Sequence, residues 1–230
     1  LLVISGAGSG KTRVLTSRVA YILYRRLANP SNIMAVTFTN KAANAMKERI
    51  AALLGQELFS LTVSTFHSFC ARLLRKEAAA IDYPADFTIF DEDDATALIR
   101  NCLDELGLSR TQFTPASLRR KISAAKNKMI DAVAFSEKAS GYFETRTAAI
   151  YTRYEERLKE CGGFDFDDLL LRSVQLLANN DNIRLKYQER FKYILVDEYQ
   201  DTNHTQYKLL KNLTGEHQNI GVVGDEDQSI

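Results

Sequence analysis

A glycine-rich loop between an apolar run and a helical pattern is the feature that most constrains the fold of this 230-residue chain. The run Leu1–Ile4 has the length and content of a buried strand, and it leads directly into Ser-Gly-Ala-Gly-Ser-Gly-Lys-Thr at residues 5–12. Apolar residues then recur close to a 3.6-residue period over residues 10–26, which predicts a helix. Strand, glycine-rich loop and helix in this order are typical of a phosphate-binding Walker A loop.

The loop predicts how a nucleoside triphosphate would be held. Glycines let backbone N–H groups approach phosphate oxygens, and the start of the helix adds the positive end of its dipole. We expect Lys11 to contact the β- and γ-phosphates and the Thr12 hydroxyl to ligate Mg²⁺. The other loop residues expected at the phosphates are Gly6, Ala7, Gly8, Ser9 and Gly10. The strict pattern has glycine where this chain has Ser5. The alternative is a glycine-rich turn with an incidental lysine, and the flanking strand and helix argue against it.

A second apolar run ends in two carboxylates. Residues Tyr193–Val196 read as a strand, and Asp197 and Glu198 follow directly. Groups at the carboxyl end of a parallel strand face the ligand crevice. We expect Asp197 to hold Mg²⁺, mostly through water, and Glu198 to accept a proton from the water that attacks the γ-phosphate. The pair could instead begin a solvated loop, but together with the Walker loop it indicates a nucleoside triphosphatase.

The rest of the chain alternates strand and helix patterns, with one long helical interruption. Further strands are predicted at residues 33–38, 61–65 and 220–223, with helical patterns between them. This order predicts an α/β fold with a parallel sheet and helices on its faces. No strong strand pattern appears between Asp91 and Gly162, so we interpret residues 85–164 as a helical insert. Residues 1–84 and 165–230 then form the α/β domain.

Composition excludes several classes of protein. The chain has 30 Lys and Arg against 29 Asp and Glu, so any nucleic-acid binding must come from local patches. No apolar run approaches the ~20 residues of a membrane span, so no membrane partner is expected. The three cysteines, Cys70, Cys102 and Cys161, lack metal-ligand spacing, which favours the reducing cytoplasm. The chain starts without a methionine and ends inside a motif, and we interpret it as cut at both ends.

Five further segments resemble motifs of the superfamily 1 DNA helicases of the UvrD/Rep/PcrA type, in the same order. These segments are Val36–Ala43 (motif Ia), Ser64–Phe69 (motif Ib), Phe164–Leu170 (a recurrent family segment), Asp197–Asn203 (motif II) and Val223–Ile230 (the start of motif III). The resemblance implies a RecA-like P-loop NTPase sheet, the first motor domain or 1A, with an inserted all-helical subdomain, 1B. It covers only the first half of such a protein.

The resemblance also implies roles for individual residues. In the family, the residue after the Walker threonine packs against adenine, which here is Arg13. Gln228 matches the glutamine that senses the γ-phosphate and links it to DNA. Motifs Ia and Ib line a single-strand track, where Phe38 would stack on a base, a contact worth ~1–3 kcal/mol. Residues expected at the DNA backbone or sugar are Thr37, Asn40, Thr65 and His67.

The function implied by the resemblance is an ATP-dependent DNA helicase that moves 3′ to 5′ on single-stranded DNA, in repair or replication restart. Its cofactors would be ATP and Mg²⁺, and its partners single-stranded DNA and junctions between single and double strands. In the family, a second RecA-like domain of the same parent chain supplies arginine fingers, worth ~10³–10⁵ in rate in other P-loop systems. That domain is absent here, so we expect this stretch alone to be nearly inactive.

Three alternatives stay open. A P-loop ATPase without a nucleic-acid role would leave residues 37–43 and 64–69 unexplained. The motor part of a helicase–nuclease subunit would share every motif above. A non-catalytic DNA-binding module with a decayed ATP site conflicts with the intact Lys11, Thr12 and Asp197-Glu198 pair.

One basic stretch has two interpretations. No acidic residue occurs between Glu105 and Asp131. The basic residues there are Arg110, Arg119, Arg120, Lys121, Lys126 and Lys128. They form either a face that holds duplex phosphates or an ordinary solvated helix face.

Overall fold

The computed structural model describes residues 1–4, 6 and 10–225. The chain divides into two compact units, Leu1–Phe69 with Leu176–Ile230, and Cys70–Gln175. The second unit is longer at both ends than the insert expected at residues 85–164. Each unit has its own architecture and is described separately.

The first unit is built on a five-stranded parallel sheet. Its strands are β1 (Leu2–Ile4), β2 (Ile33–Thr37), β3 (Thr62–Thr65), β6 (Tyr193–Val196) and β7 (Ile220–Gly224). Their spatial order is β1-β7-β6-β2-β3, and every neighbouring pair is parallel. The carboxyl ends of all five strands therefore meet at one edge, where ligands bind in open α/β sheets. The parallel α/β fold predicted from the sequence is confirmed.

The helices that lie wholly or partly in this unit connect its strands. They are α1 (Lys11–Tyr24), α2 (Asn40–Leu54), α9 (Asp181–Arg190) and α10 (His204–Thr214), with parts of α3 (Phe66–Lys76) and α8 (Phe166–Asn179). Leu15 and Val19 of α1 and Met46 of α2 share one buried core with Ile33 of the sheet. Helix α2 begins after Thr39, whose Oγ1 accepts a hydrogen bond from the Ala42 N–H at 3.1 Å, a normal N-cap.

The second unit is mainly helical. Its complete helices are α4 (Glu92–Glu105), α5 (Pro115–Lys126), α6 (Ala132–Lys138) and α7 (Gly141–Glu160). The strands β4 (Thr88–Phe90) and β5 (Gly163–Asp165) form a separate parallel pair. An all-helical insert was expected, and the sequence pattern did not reveal these strands because three residues are too few to show a period of two.

A buried lysine surrounded by carboxylates lies inside this second unit. The side chain of Lys126 is 0% exposed, and its Nζ lies 2.7 Å from Glu155, 2.8 Å from Asp165 and 2.8 Å from Asp168. The Tyr154 hydroxyl donates a hydrogen bond to Asp165 Oδ2 at 2.9 Å. Buried charges persist only when they are paired and hydrogen-bonded, which this arrangement provides.

Carboxylates outnumber cations in this cluster. Asp165, Asp168 and Glu155 face Lys126 and Arg172, which leaves one negative charge in excess. Burial, reinforced by the nearby charge of Asp165, raises the pKa of Asp168 well above its ordinary value. Burial alone would lower the pKa of Lys126, but the three carboxylates raise it instead. The lysine therefore stays charged, and burial favours the protonated form of Asp168.

The basic stretch of the second unit does not form a single solvated face. Lys126 is buried, Arg110 pairs with Asp104, and Arg119 pairs with Glu92 at 2.9 Å. The exposed basic residues of the stretch are Arg110, Arg120, Lys121 and Lys128.

Within the described residues, no helix combines the length and the apolarity needed to cross a membrane. Cys70 and Cys102 are buried free thiols, and Cys161 is an exposed one.

Candidate nucleotide site and adjoining strand ends

The described part of the glycine-rich loop ends in a backbone turn that starts α1. Gly10 has φ 91° and ψ 22°, in the left-handed region that only glycine adopts at little cost. The next residue, Lys11, is nearly buried, with 8% of its surface exposed. Its Nζ donates to the Gly6 carbonyl at 3.3 Å and to Asp225 Oδ2 at 2.8 Å. The ammonium group is thus held at the carboxyl ends of β1 and β7.

A hydrogen bond joins the two predicted motifs. Thr12 Oγ1 donates to Asp197 Oδ2 at 2.9 Å, although the residues lie 185 positions apart. The Asp197 backbone N–H donates to the Val36 carbonyl at 3.0 Å, which fixes the end of β6 against β2. Asp197 Oδ1 accepts from the Glu198 backbone N–H at 3.1 Å. Burial raises the pKa of Asp197, and the hydrogen bond from Thr12 offsets part of that rise.

Glu198 occupies a strained position. Its φ of 49° and ψ of 48° lie in the left-handed region, which is uncommon for residues other than glycine and recurs at functional sites. Its Oε2 accepts a hydrogen bond from Gln200 Nε2 at 2.7 Å. Gln200 Oε1 in turn accepts from the Asp225 backbone N–H at 3.0 Å. The carboxylate of Glu198 is therefore oriented by a side chain tied to the end of β7.

Sequence reasoning assigned no role to Gln200 or Asp225. Both lie in the segments that carry the family resemblance, Asp197–Asn203 and Val223–Ile230. Membership of these two segments was the signal in the sequence that could have pointed to them. Their contacts with Glu198 and Lys11 form only in the folded sheet.

Thr12 and Asp197 have the chemistry of magnesium ligands. A hydroxyl and a carboxylate are hard oxygen donors, and Mg²⁺ usually keeps several waters while binding one or two protein groups. Within the described residues, no three His, Cys, Asp or Glu side chains form a closed metal cage. The two oxygens 2.9 Å apart therefore fit a water-rich magnesium site shared with a phosphate.

The structure describes only some of the predicted site residues. Ala7, Gly8, Ser9 and Gln228 lie outside the residues that the structure describes. Arg13 is exposed in the first turn of α1, directly after Thr12.

The ends of β2 and β3 carry the residues predicted to contact a nucleic acid. Phe38 is half-buried, and its ring meets that of Phe66 edge to face with centroids 5.6 Å apart. Asn40 is exposed at the start of α2, and His67 is half-buried in the first turn of α3. Phe38, Asn40 and His67 thus lie at the sheet edge where β6 ends.

Two of the predicted contact residues are buried. Thr37 is 1% exposed and Thr65 is 6% exposed. Thr65 Oγ1 accepts from the Ser68 backbone N–H at 3.2 Å and donates to Ser68 Oγ at 2.9 Å. This hydroxyl therefore caps the start of α3 by accepting one of its backbone N–H groups.

The sheet is parallel, and a glycine-rich loop follows its first strand. A threonine of that loop is hydrogen-bonded to an acidic residue at the end of another strand. These features define a P-loop domain of the RecA-like kind. A sequence model described as the UvrD/REP helicase N-terminal domain matches residues 1–230. The chain belongs to this family.

Curated relatives support the same assignment. The chain is similar to a protein named ATP-dependent DNA helicase PcrA in Bacillus subtilis, at 44% identity over all of this chain and 31% of the relative. Proteins of the same name in Leuconostoc citreum and in Staphylococcus aureus are 42% identical over all of this chain, and the chain covers 31% and 32% of them. The chain thus spans about a third of the length of these relatives.

Proposed function

We propose that this chain is the ATP- and DNA-binding part of the first motor domain of an ATP-dependent DNA helicase. The observation that carries the proposal is the 2.9 Å hydrogen bond from Thr12 to Asp197, which assembles both halves of a phosphate site from distant segments. Membership of the UvrD/REP helicase family and the printed names of the PcrA relatives support the choice of reaction. We assign residues 1–84 and 165–230 to motor domain 1A and residues 85–164 to subdomain 1B.

The roles in ATP hydrolysis follow from the chemistry of each group. The backbone of Gly6–Gly10 and the ammonium of Lys11 bind the phosphates. Thr12 and Asp197 would hold Mg²⁺, which would supply charge neutralisation for the phosphates. Glu198 orients the attacking water and accepts its proton. Arg13 packs on the adenine, and Gln228 senses the γ-phosphate.

Lys11 begins with an internal partner. Its ammonium is 2.8 Å from Asp225 Oδ2, so phosphate oxygens would share or replace that carboxylate as its counterion. The exchange keeps a nearly buried charge compensated throughout.

The DNA track lies on the neighbouring strand ends. Phe38 stacks on a base, a sequence-tolerant contact because every base has a π-face. Asn40 and His67 bind backbone or sugar, since their side chains reach the surface. Thr37 and Thr65 were expected to do the same, and their burial favours a contribution through their backbone groups. Because β6 pairs with β2, a shift of the nucleotide site at Asp197 is passed directly to this track.

The whole protein would need more than this chain. Movement 3′ to 5′, action at junctions and a role in repair or replication belong to the proposal for the whole protein. A second RecA-like domain would supply arginine fingers, and this chain alone would then bind Mg–ATP weakly and hydrolyse it very slowly. Free thiols at Cys70, Cys102 and Cys161 fit the reducing cytoplasm as its location. A helicase–nuclease subunit would share this domain.

The second candidate is a P-loop ATPase without a nucleic-acid role, which the paired Thr12 and Asp197 fit equally well. The discriminating experiment measures Mg-dependent ATP hydrolysis by the full-length gene product with and without single-stranded oligo-dT. Glu198→Gln is the inactivating variant, and Glu216→Gln, at an exposed loop position, is the matched control. Stimulation by oligo-dT that is lost only in Glu198→Gln supports the helicase proposal. Hydrolysis indifferent to oligo-dT supports the second candidate.

A further inference from the structure

The amide of Gln200 bridges two strand ends at the candidate site. Its Nε2 donates to Glu198 Oε2 at 2.7 Å, and its Oε1 accepts from the Asp225 backbone N–H at 3.0 Å. An amide has a donor end and an acceptor end, and the N–H of Asp225 determines which end faces which partner. The donor end must therefore point at Glu198.

We propose that Gln200 is a positioning residue that aims the carboxylate of Glu198 and ties it to the end of β7. The proposal rests on the proposed function, in which Glu198 is the general base. Gln200 acts through Glu198 and touches neither the nucleotide nor the attacking water in this assignment.

The backbone at both ends of the bridge is adapted to it. Glu198 has φ 49°, so its side chain leaves the strand at an angle that an extended residue would not give. At the other end, a Cβ added to Gly224 would lie 3.1 Å from Gln200 Oε1, closer than such contacts normally come. A Cβ at position 224 would therefore require the amide to shift by a few tenths of an ångström.

The bridge also joins the base to the phosphate lysine. Asp225 donates its backbone N–H to Gln200, and its carboxylate accepts from Lys11 Nζ at 2.8 Å. A change in the partner of Lys11 therefore reaches Glu198 through Asp225, at the end of β7, and through the side-chain amide of Gln200. A hydrophobic residue at position 200 would break this connection.

Gln200→Glu is the most informative substitution, because it keeps the shape and the acceptor while it reverses the interaction with Glu198. A second carboxylate at position 200 repels the carboxylate of Glu198 and takes away the N–H donor that aims it. The charged groups at this site are Asp197 after β6, Lys11 on α1 and Asp225 after β7, and they stay unchanged in this variant. The kcat for ATP hydrolysis should therefore fall on the order of 10-fold or more, with little change in KM.

The experiment measures kcat and KM for ATP in the full-length gene product with saturating oligo-dT. Gln200→Met removes both hydrogen bonds at similar length and should lower kcat on the order of 10-fold, with little change in KM. Gly224→Ala, which leaves Gln200 and Glu198 intact, should also lower kcat. Gln218→Glu makes the same charge change at an exposed position before β7 and should match the unchanged protein.

The outcomes separate this inference from the proposed function. A lower kcat in Gln200→Glu, Gln200→Met and Gly224→Ala, with an unchanged KM for ATP, supports the inference. A kcat equal to that of the unchanged protein, or a KM for ATP that rises as kcat falls, overturns it while hydrolysis and its dependence on Glu198 stand. Absence of hydrolysis in the unchanged protein overturns the proposed function and this inference together.

Discussion

Replacing Lys126 by methionine tests the charge balance inside the second unit. Methionine is close to lysine in length but uncharged, so the change leaves Glu155, Asp165 and Asp168 with Arg172 as their cation. The Lys126 side chain is 0% exposed, so water cannot replace it. Removing one partner of a buried ion pair costs about 3–5 kcal/mol. Against a total stability of roughly 5–15 kcal/mol, that loss is severe.

The loss should depend on pH in a defined direction. Without Lys126, burial and mutual repulsion raise the pKa of the remaining carboxyls in the folded state. A group whose folded pKa is raised contributes stability that is lost as the pH rises through that pKa. The loss of unfolding free energy in Lys126→Met should therefore be largest at pH 8 and smaller at pH 5.

The assay is urea unfolding of the 230-residue chain at both pH values. The chain has ten tyrosines and no tryptophan, so tyrosine fluorescence reports the transition. Tyr151 and Tyr154 have ring centroids 5.9 Å and 5.2 Å from Lys126 Nζ. Lys128→Met, at an exposed position two residues on, is the matched control. A midpoint lower by about 1 M urea or more is expected. A deficit below about 1 kcal/mol, or one equal at both pH values, would refute the reasoning.

Three further predictions concern the first unit. Phe38→Ala should weaken binding of oligo-dT about 5- to 150-fold, because one stacked base is worth ~1–3 kcal/mol. The control Phe59→Ala, at a 94% exposed position, should leave binding unchanged, and fluorescence anisotropy measures both. Gly10→Ala should cost about 1–2 kcal/mol in urea unfolding, because alanine is strained at φ 91°, and an unchanged midpoint contradicts this. Burial raises the pKa of Asp197, so Mg²⁺-dependent nucleotide binding should weaken with falling pH while an ordinary aspartate is still ionised. Asp197→Asn should remove that pH dependence, as measured by nucleotide titration.

Local patterns carried most of the fold and the first outline of the site. The strand ending at Val196 was predicted with the observed bounds because four apolar, strand-forming residues end sharply at a carboxylate pair. Thr12 and Asp197 were both expected to ligate Mg²⁺, and their hydroxyl and carboxylate oxygens lie 2.9 Å apart although 185 positions separate the residues.

Other pairings between distant side chains were not predicted from the sequence. Lys126 was grouped with a basic stretch, yet its partner Asp165 lies 39 positions further along. Nothing in a helical pattern shows that one lysine points into a core while Lys128 points to water. The bridge from Gln200 to Asp225, across 25 positions, depends on the same kind of tertiary register.

Unwinding of a partial duplex by the full-length gene product tests the central claim most directly. The substrate is a DNA duplex with a single-stranded tail at either its 3′ or its 5′ end, incubated with Mg²⁺ and ATP. The account predicts strand separation from the 3′-tailed substrate that requires ATP and is abolished by Glu198→Gln. No strand separation by a protein that hydrolyses ATP, or separation that persists in Glu198→Gln, would contradict it.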